Sequence, residues 1–129
     1  MNSYKTLDVW KHAHSAAVRT LRVCDAAYHP RSRALLDQLK RAAVSVEANI
    51  VEGYALATPG HVGRHLRIAF GSAAEAECEA RLAGEVGYLK AETVSELEEL
   101  FGRTLRGLRG LLRAKNALSL RTTHDGPRT

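Results

Sequence analysis

Apolar side chains recur along this chain at intervals of three, four and seven residues, in four separate stretches. In the first, Leu7, Trp10, Ala17, Leu21, Cys24 and Tyr28 share one face of a helix predicted from about Leu7 to Tyr28. Asp8 falls in its first turn, where the helix dipole favours an anion, and Pro30 ends it because the residue before proline avoids the α region. In the second, Ser32 is placed to cap a helix reaching about Leu56, on which Leu35, Leu39, Ala42, Val46 and Ile50 cover about a third of the circumference. Thr58-Pro59-Gly60 interrupts the pattern. The third stretch, about His61 to Leu89, carries Val62, Leu66, Ala69, Ala73, Ala76, Ala80 and Ala83, an Ala-rich seam that lets a partner helix come close. The fourth opens at Thr93, with Glu96 three residues on in the spacing of a capping box. It continues through Val94, Leu97, Phe101, Leu105, Leu108 and Leu112 to about Leu118.

Four amphipathic helices with short connections predict an all-α fold, an antiparallel up-down-up-down four-helix bundle over residues 1–118. Residues 119–129, with Thr122-Thr123, Asp125-Gly126 and Pro127, lose the periodicity and are expected to form a disordered tail. The 129 residues suit one domain, and 45% hydrophobic content suffices for a core. Aromatic residues make up only 5%, which argues against a β-sandwich. Two cysteines do not make a disulfide scaffold. The start, Met1-Asn2-Ser3-Tyr4-Lys5, lacks the apolar run of a signal peptide, and no 18 consecutive residues are apolar. A cytoplasmic protein with reduced thiols and no membrane partner is the expectation.

Charge adds a functional hint. Nineteen Lys and Arg against 14 Asp and Glu give a formal +5, a balance that attracts polyanions. On the fourth helix, Arg106, Arg109 and Arg113 share a flank with Arg103 beside them, while Glu92, Glu96, Glu98 and Glu99 gather at the other end. One reading is dipole complementarity, acids early and bases late. The other is a basic surface for nucleic-acid phosphates, contacting the backbone rather than stacking bases, since no aromatics interleave.

A second polar feature lies on the second helix. Arg41, Ser45, Asn49 and Glu52 fall within about 80° of one another beside its apolar face. His65, Ser72, Glu75 and Glu79 of the third helix would lie against them if the two helices pair. Either this is a solvated face, or it is a hydrogen-bonded network in the bundle or at a subunit contact, with Arg41 and Glu52 compensating each other.

Catalytic patterns are sparse. No glycine spacing matches a phosphate-binding loop. His61 and His65 are one turn apart but lack further zinc ligands, and Cys24 and Cys78 show no metal spacing and suit buried apolar positions. Arg22 and His29 have the spacing of helical ribonucleases of the HEPN class, but that spacing arises easily by chance, and Arg22 as a solvated base with His29 as a dipole partner at a helix end is the favoured reading. No catalytic, metal or cofactor site is therefore expected.

Three segments carry a resemblance: Leu7-Asp8-Val9-Trp10-Lys11, the block from Gln38 to Gly53, and the block from Leu66 to Glu75. Together they resemble the bacterial four-helix-bundle family encoded in intervening sequences of large-subunit ribosomal RNA genes, similar in turn to the accessory variability protein of diversity-generating retroelements. The motif positions fall on Trp10, Gln38, Arg41, Ser45, Asn49, Glu52, Gly53, Gly71, Ser72 and Glu75, and the match loosens at Glu77 and Arg81. The resemblance implies a non-enzymatic homo-oligomer, a ring of five, that binds RNA or DNA or a reverse-transcriptase-like partner through a basic surface. The alternatives are a HEPN-like ribonuclease using Arg22 and His29, and a purely structural assembly protein.

Overall fold

The computed structural model describes residues 4–56 and 58–125, with side chains through residue 114. After a single 3-10 turn, Tyr4–Thr6, four helices follow: α1 (Asp8–Ala26), α2 (Arg33–Leu56), α3 (Pro59–Glu85) and α4 (Ala91–Asp125). Each packs against its neighbours in the chain, and α1 closes the ring against α4. The architecture is the antiparallel four-helix bundle that the periodicity predicts, with no strand among the described residues.

The helix ends follow local chemistry that differs in detail from the expectation. Ser32 precedes α2, and its carbonyl accepts from Leu36 N at 2.9 Å, but its hydroxyl holds the preceding turn instead, bonding the backbone of His29. Thr58-Pro59-Gly60 divides α2 from α3 as expected, but Pro59 also opens α3, two residues before the expected His61, since the first helical position needs no N–H donor and suits proline's fixed φ. That helix ends at Glu85, earlier than the expected Leu89, because Gly87 adopts φ +82°. Tyr88 N then donates to Ala83 O at 2.8 Å and Gly87 N to Gly84 O at 3.1 Å, the paired bonds of a Schellman cap. The capping box expected at Thr93 is not formed. Lys90 O takes the first helical bond, from Val94 N, which places Thr93 inside the first turn, and Glu96 reaches across to Arg19 at 2.7 Å.

α4 also runs past Leu118 to Asp125, so seven residues expected in an unstructured tail continue the helix. No proline or glycine occurs between Leu111 and Asp125 to interrupt the backbone ladder. Residues 126–129 of the expected tail lie outside the described residues.

The core forms two clusters along the bundle axis, one around Leu39, Leu97 and Phe101, the other around Ile50, Leu66 and Leu108. α1 buries Ala17 and Cys24 of the predicted face and packs Leu7 and Trp10 partly against the core, but its buried seam is shifted toward smaller side chains. Val9, Ala13, Ala16, Ala17, Thr20, Val23 and Cys24 point inward, whereas Leu21 and Tyr28 are exposed. Small side chains win because they let helices approach, and the same logic places Gly107 against Val9 and Gly84 against Val94, where an added Cβ would sit 2.9 and 2.6 Å from a valine methyl. The alanine seam of α3 is likewise internal: Ala69, Ala73, Ala76, Ala80 and Ala83 are fully buried within the protomer.

Candidate functional site: a polar seam and a basic flank

The pairing of α2 with α3 brings together the two polar stripes that the spacing places on them. Ser45 and Ser72 join their hydroxyls at 2.9 Å across the helices. Asn49 turns its amide nitrogen toward Ser45, donating to the carbonyl at 2.9 Å and lying 3.2 Å from the hydroxyl. Its amide oxygen is thereby left facing His65, whose Nδ1 lies at 2.8 Å. Since that oxygen can only accept, His65 carries its proton on Nδ1. The imidazole is buried, and Gly53 makes room for it: a Cβ there would come within 3.0 Å of His65 Cβ. His61 lies beside it, the rings tilted by 55° with centroids 4.4 Å apart, and donates from Nε2 to Glu52 O at 2.9 Å.

The ends of the stripe behave otherwise. Arg41, Glu52 and Glu75 are exposed, and Arg41 makes no ion pair with Glu52, the compensation that the spacing suggests. Three turns of helix separate them. The Glu52 carboxylate lies 3.9 Å from His65 Nδ1. Glu79, by contrast, is buried with neither carboxylate oxygen hydrogen-bonded. Burial raises its pKa, Glu75 adds to the rise, and the Arg41 guanidinium opposes it. The network is therefore Ser45, Asn49, Ser72 and His65, with Arg41 and Glu75 acting on Glu79 through space.

On the other side of α3, the exposed flank of α4 carries Arg106, Arg109 and Arg113, as its sequence predicts. Arg109 is not isolated from aromatics: its guanidinium sits 5.6 Å from the centre of the half-buried Phe70 ring of α3. Arg103 is held by Glu99 at 3.1 Å, and at the far end Arg81 meets Glu98 at 3.5 Å, so the unexpected Arg81 serves the α3–α4 contact. α3 contributes two further exposed cations, Arg64 and Arg67. They are detectable in the sequence as part of a stretch, residues 59–74, that contains arginine but no carboxylate.

The remaining candidates separate. Arg22 lines a cleft near the end of α1 that His29 does not reach, and His29 Nδ1 instead accepts from Arg31 N at 3.3 Å in the α1–α2 turn. Cys24 is buried, which pushes its thiol up to about 11, whereas Cys78 is exposed, contrary to the apolar role expected of it. Among the described residues no cluster of His, Cys, Asp or Glu is placed to hold a metal. No helix among them is long and apolar enough to cross a membrane. Trp10 stacks on His14 at 5.0 Å, and His14 Nδ1 reaches Glu47 at 2.6 Å, so the tryptophan motif serves to clasp α1 to α2.

The fold and these surfaces define a class: an up-down helical bundle with a hydrogen-bonded seam along one helix pair and a basic flank on another. Residues 5–110 match the family described as 23S rRNA-intervening sequence protein, and the chain belongs to that family. No curated protein matches it.

Proposed function

We propose that this protein is a non-catalytic binding protein for nucleic acid, working as a homo-oligomer. The observation that carries the reading is charge segregation across the α3–α4 pair. Residues 59–74 contain Arg64 and Arg67, residues 100–114 contain Arg103, Arg106, Arg109 and Arg113, and neither stretch contains an Asp or Glu. Antiparallel packing lays the two stretches side by side, as the Arg109–Phe70 contact marks. Beside Arg103, which Glu99 holds, Arg64, Arg67, Arg106, Arg109 and Arg113 are exposed on this helix pair and offer planar, permanently charged donors suited to phosphate oxygens. With Phe70 taken up by Arg109, the flank contacts backbone rather than stacking bases, so binding is tolerant of sequence.

Gel-shift or anisotropy measurements with a structured RNA test this. Arg64→Ala with Arg67→Ala, and separately the Arg106, Arg109 and Arg113 triple alanine variant, each weaken binding. Unchanged affinity in both variants removes the α3–α4 flank from consideration. For assembly, the internal alanine seam offers no surface to a second chain. The exposed Val44, Ile68 and Leu82 flanking the α2–α3 seam support self-association instead, and the count of five follows from the family resemblance. Light scattering decides: a 14.1 kDa particle across micromolar concentrations contradicts an oligomer.

A further inference from the structure

At the end of the bundle away from the α2–α3 connection, the last turns of α1 and the α3–α4 turn enclose a cleft of about 730 Å³. Its walls have two characters. Arg19 and Arg22 of α1 face Lys90 from the turn, with Thr93 beside it, and no carboxylate lines the space. Arg19 already engages Glu96, but Arg22 and Lys90 make no ion pair among the described residues. The same two elements supply an apolar wall, from Val23 and Ala27 at the end of α1 and from Leu89 with the half-buried Tyr88 of the turn.

We propose that this cleft binds a nucleoside monophosphate. Two uncompensated cations and a hydroxyl match a phosphomonoester, which carries about −1.5 to −2 charges at neutral pH, better than a single carboxylate. The volume is in the range of small-ligand pockets, and it exceeds what a phosphate alone would fill. The apolar wall with its tyrosine ring accounts for the remainder, since a flat heteroaromatic base gains from burial against such a surface. The Schellman cap fixes that wall, because Gly87 at positive φ lets Tyr88 N donate to Ala83 O. The cleft stands at the start of α4, thirteen residues before Arg106 and so about 20 Å along the helix from the basic flank. The two sites are thus independently testable.

Calorimetric titration of the full chain with AMP at low ionic strength, alongside adenosine and inorganic phosphate, reads the site directly. Saturable binding of one AMP per chain is expected, with adenosine and phosphate each weaker by about tenfold or more, the loss that follows from removing one charge-assisted contact or the base. Arg22→Ala and Lys90→Ala, both at exposed positions, each weaken AMP by about tenfold. The Arg106, Arg109 and Arg113 triple alanine variant binds AMP as wild type does. No saturable binding at millimolar AMP overturns the proposal. So does adenosine or phosphate binding as tightly as AMP, affinity indifferent to Arg22 and Lys90, or loss of AMP binding in the triple variant.

Discussion

Glu79 is the one buried carboxylate among the described residues. Its carboxylate is buried against α2 with both oxygens unpartnered, and its pKa is raised by that burial. A carboxyl whose folded-state pKa exceeds its unfolded value destabilises the fold once ionised, so the penalty is absent in acid and develops as pH rises through the ordinary carboxylate range. Glu79→Gln is therefore expected to raise the melting temperature at neutral pH, with the gain vanishing below about pH 4. Thermal melts across pH check this, and a gain that persists undiminished in acid contradicts it. Arg41→Ala has the opposite effect at neutral pH, because Arg41 is the charge that opposes the rise. Asn49 makes a second residue-scale case. Its oxygen is the acceptor for the buried His65 Nδ1, so Asn49→Ala leaves a desolvated donor and costs about 1–3 kcal/mol. A denaturant midpoint unchanged in that variant would show that water replaces the amide.

At the scale of the helices, much of the fold is legible in the amino-acid pattern alone. Four amphipathic periods correspond to four helices, and the spacing of Arg41, Ser45, Asn49 and Glu52 puts a polar stripe where α3 meets α2. What the pattern misses has physical causes. Periodicity weighted toward large side chains selects Leu21 and Tyr28 on α1, whereas close packing favours the small face of Ala13, Ala16 and Thr20. The Arg41–Glu52 pairing fails because residues eleven apart share a face without being within reach. The end of α3 is displaced because the sign of a glycine's φ cannot be read from one letter. Gly87 sits at φ +82° with open space around it, so alanine there meets no clash, only left-handed backbone strain. Gly87→Ala is expected to cost about 1–2 kcal/mol, whereas alanine at Gly110, open and inside α4, is expected to gain about 0.5–1 kcal/mol. Equal melting temperatures for the two variants would contradict the role given to the cap.

For the molecule as a whole, the arrangement of charge matters more than the formal +5. In the first turns of α4, Glu96, Glu98 and Glu99 pair with Arg19, Arg81 and Arg103, so these three acids are spent within the protomer. The later turns, laid against the acid-free first half of α3, keep Arg106, Arg109 and Arg113 exposed. Net charge alone points to a basic protein without locating its surface. The antiparallel pairing locates it, and Arg64 and Arg67 join the set only through that pairing. A field of this kind acts on phosphates by displacing their counterions, and each contact leaves its mark on the salt dependence of binding. The most direct measurement is the slope of log affinity against log salt concentration for a structured RNA, taken on wild type and on the Arg106, Arg109 and Arg113 triple alanine variant. A phosphate-binding α3–α4 flank predicts a steep negative slope in wild type, flatter in the variant by about 0.7–0.9 for each arginine that contacts a phosphate. Parallel slopes for the two proteins, or affinity in wild type that is insensitive to salt, would contradict it.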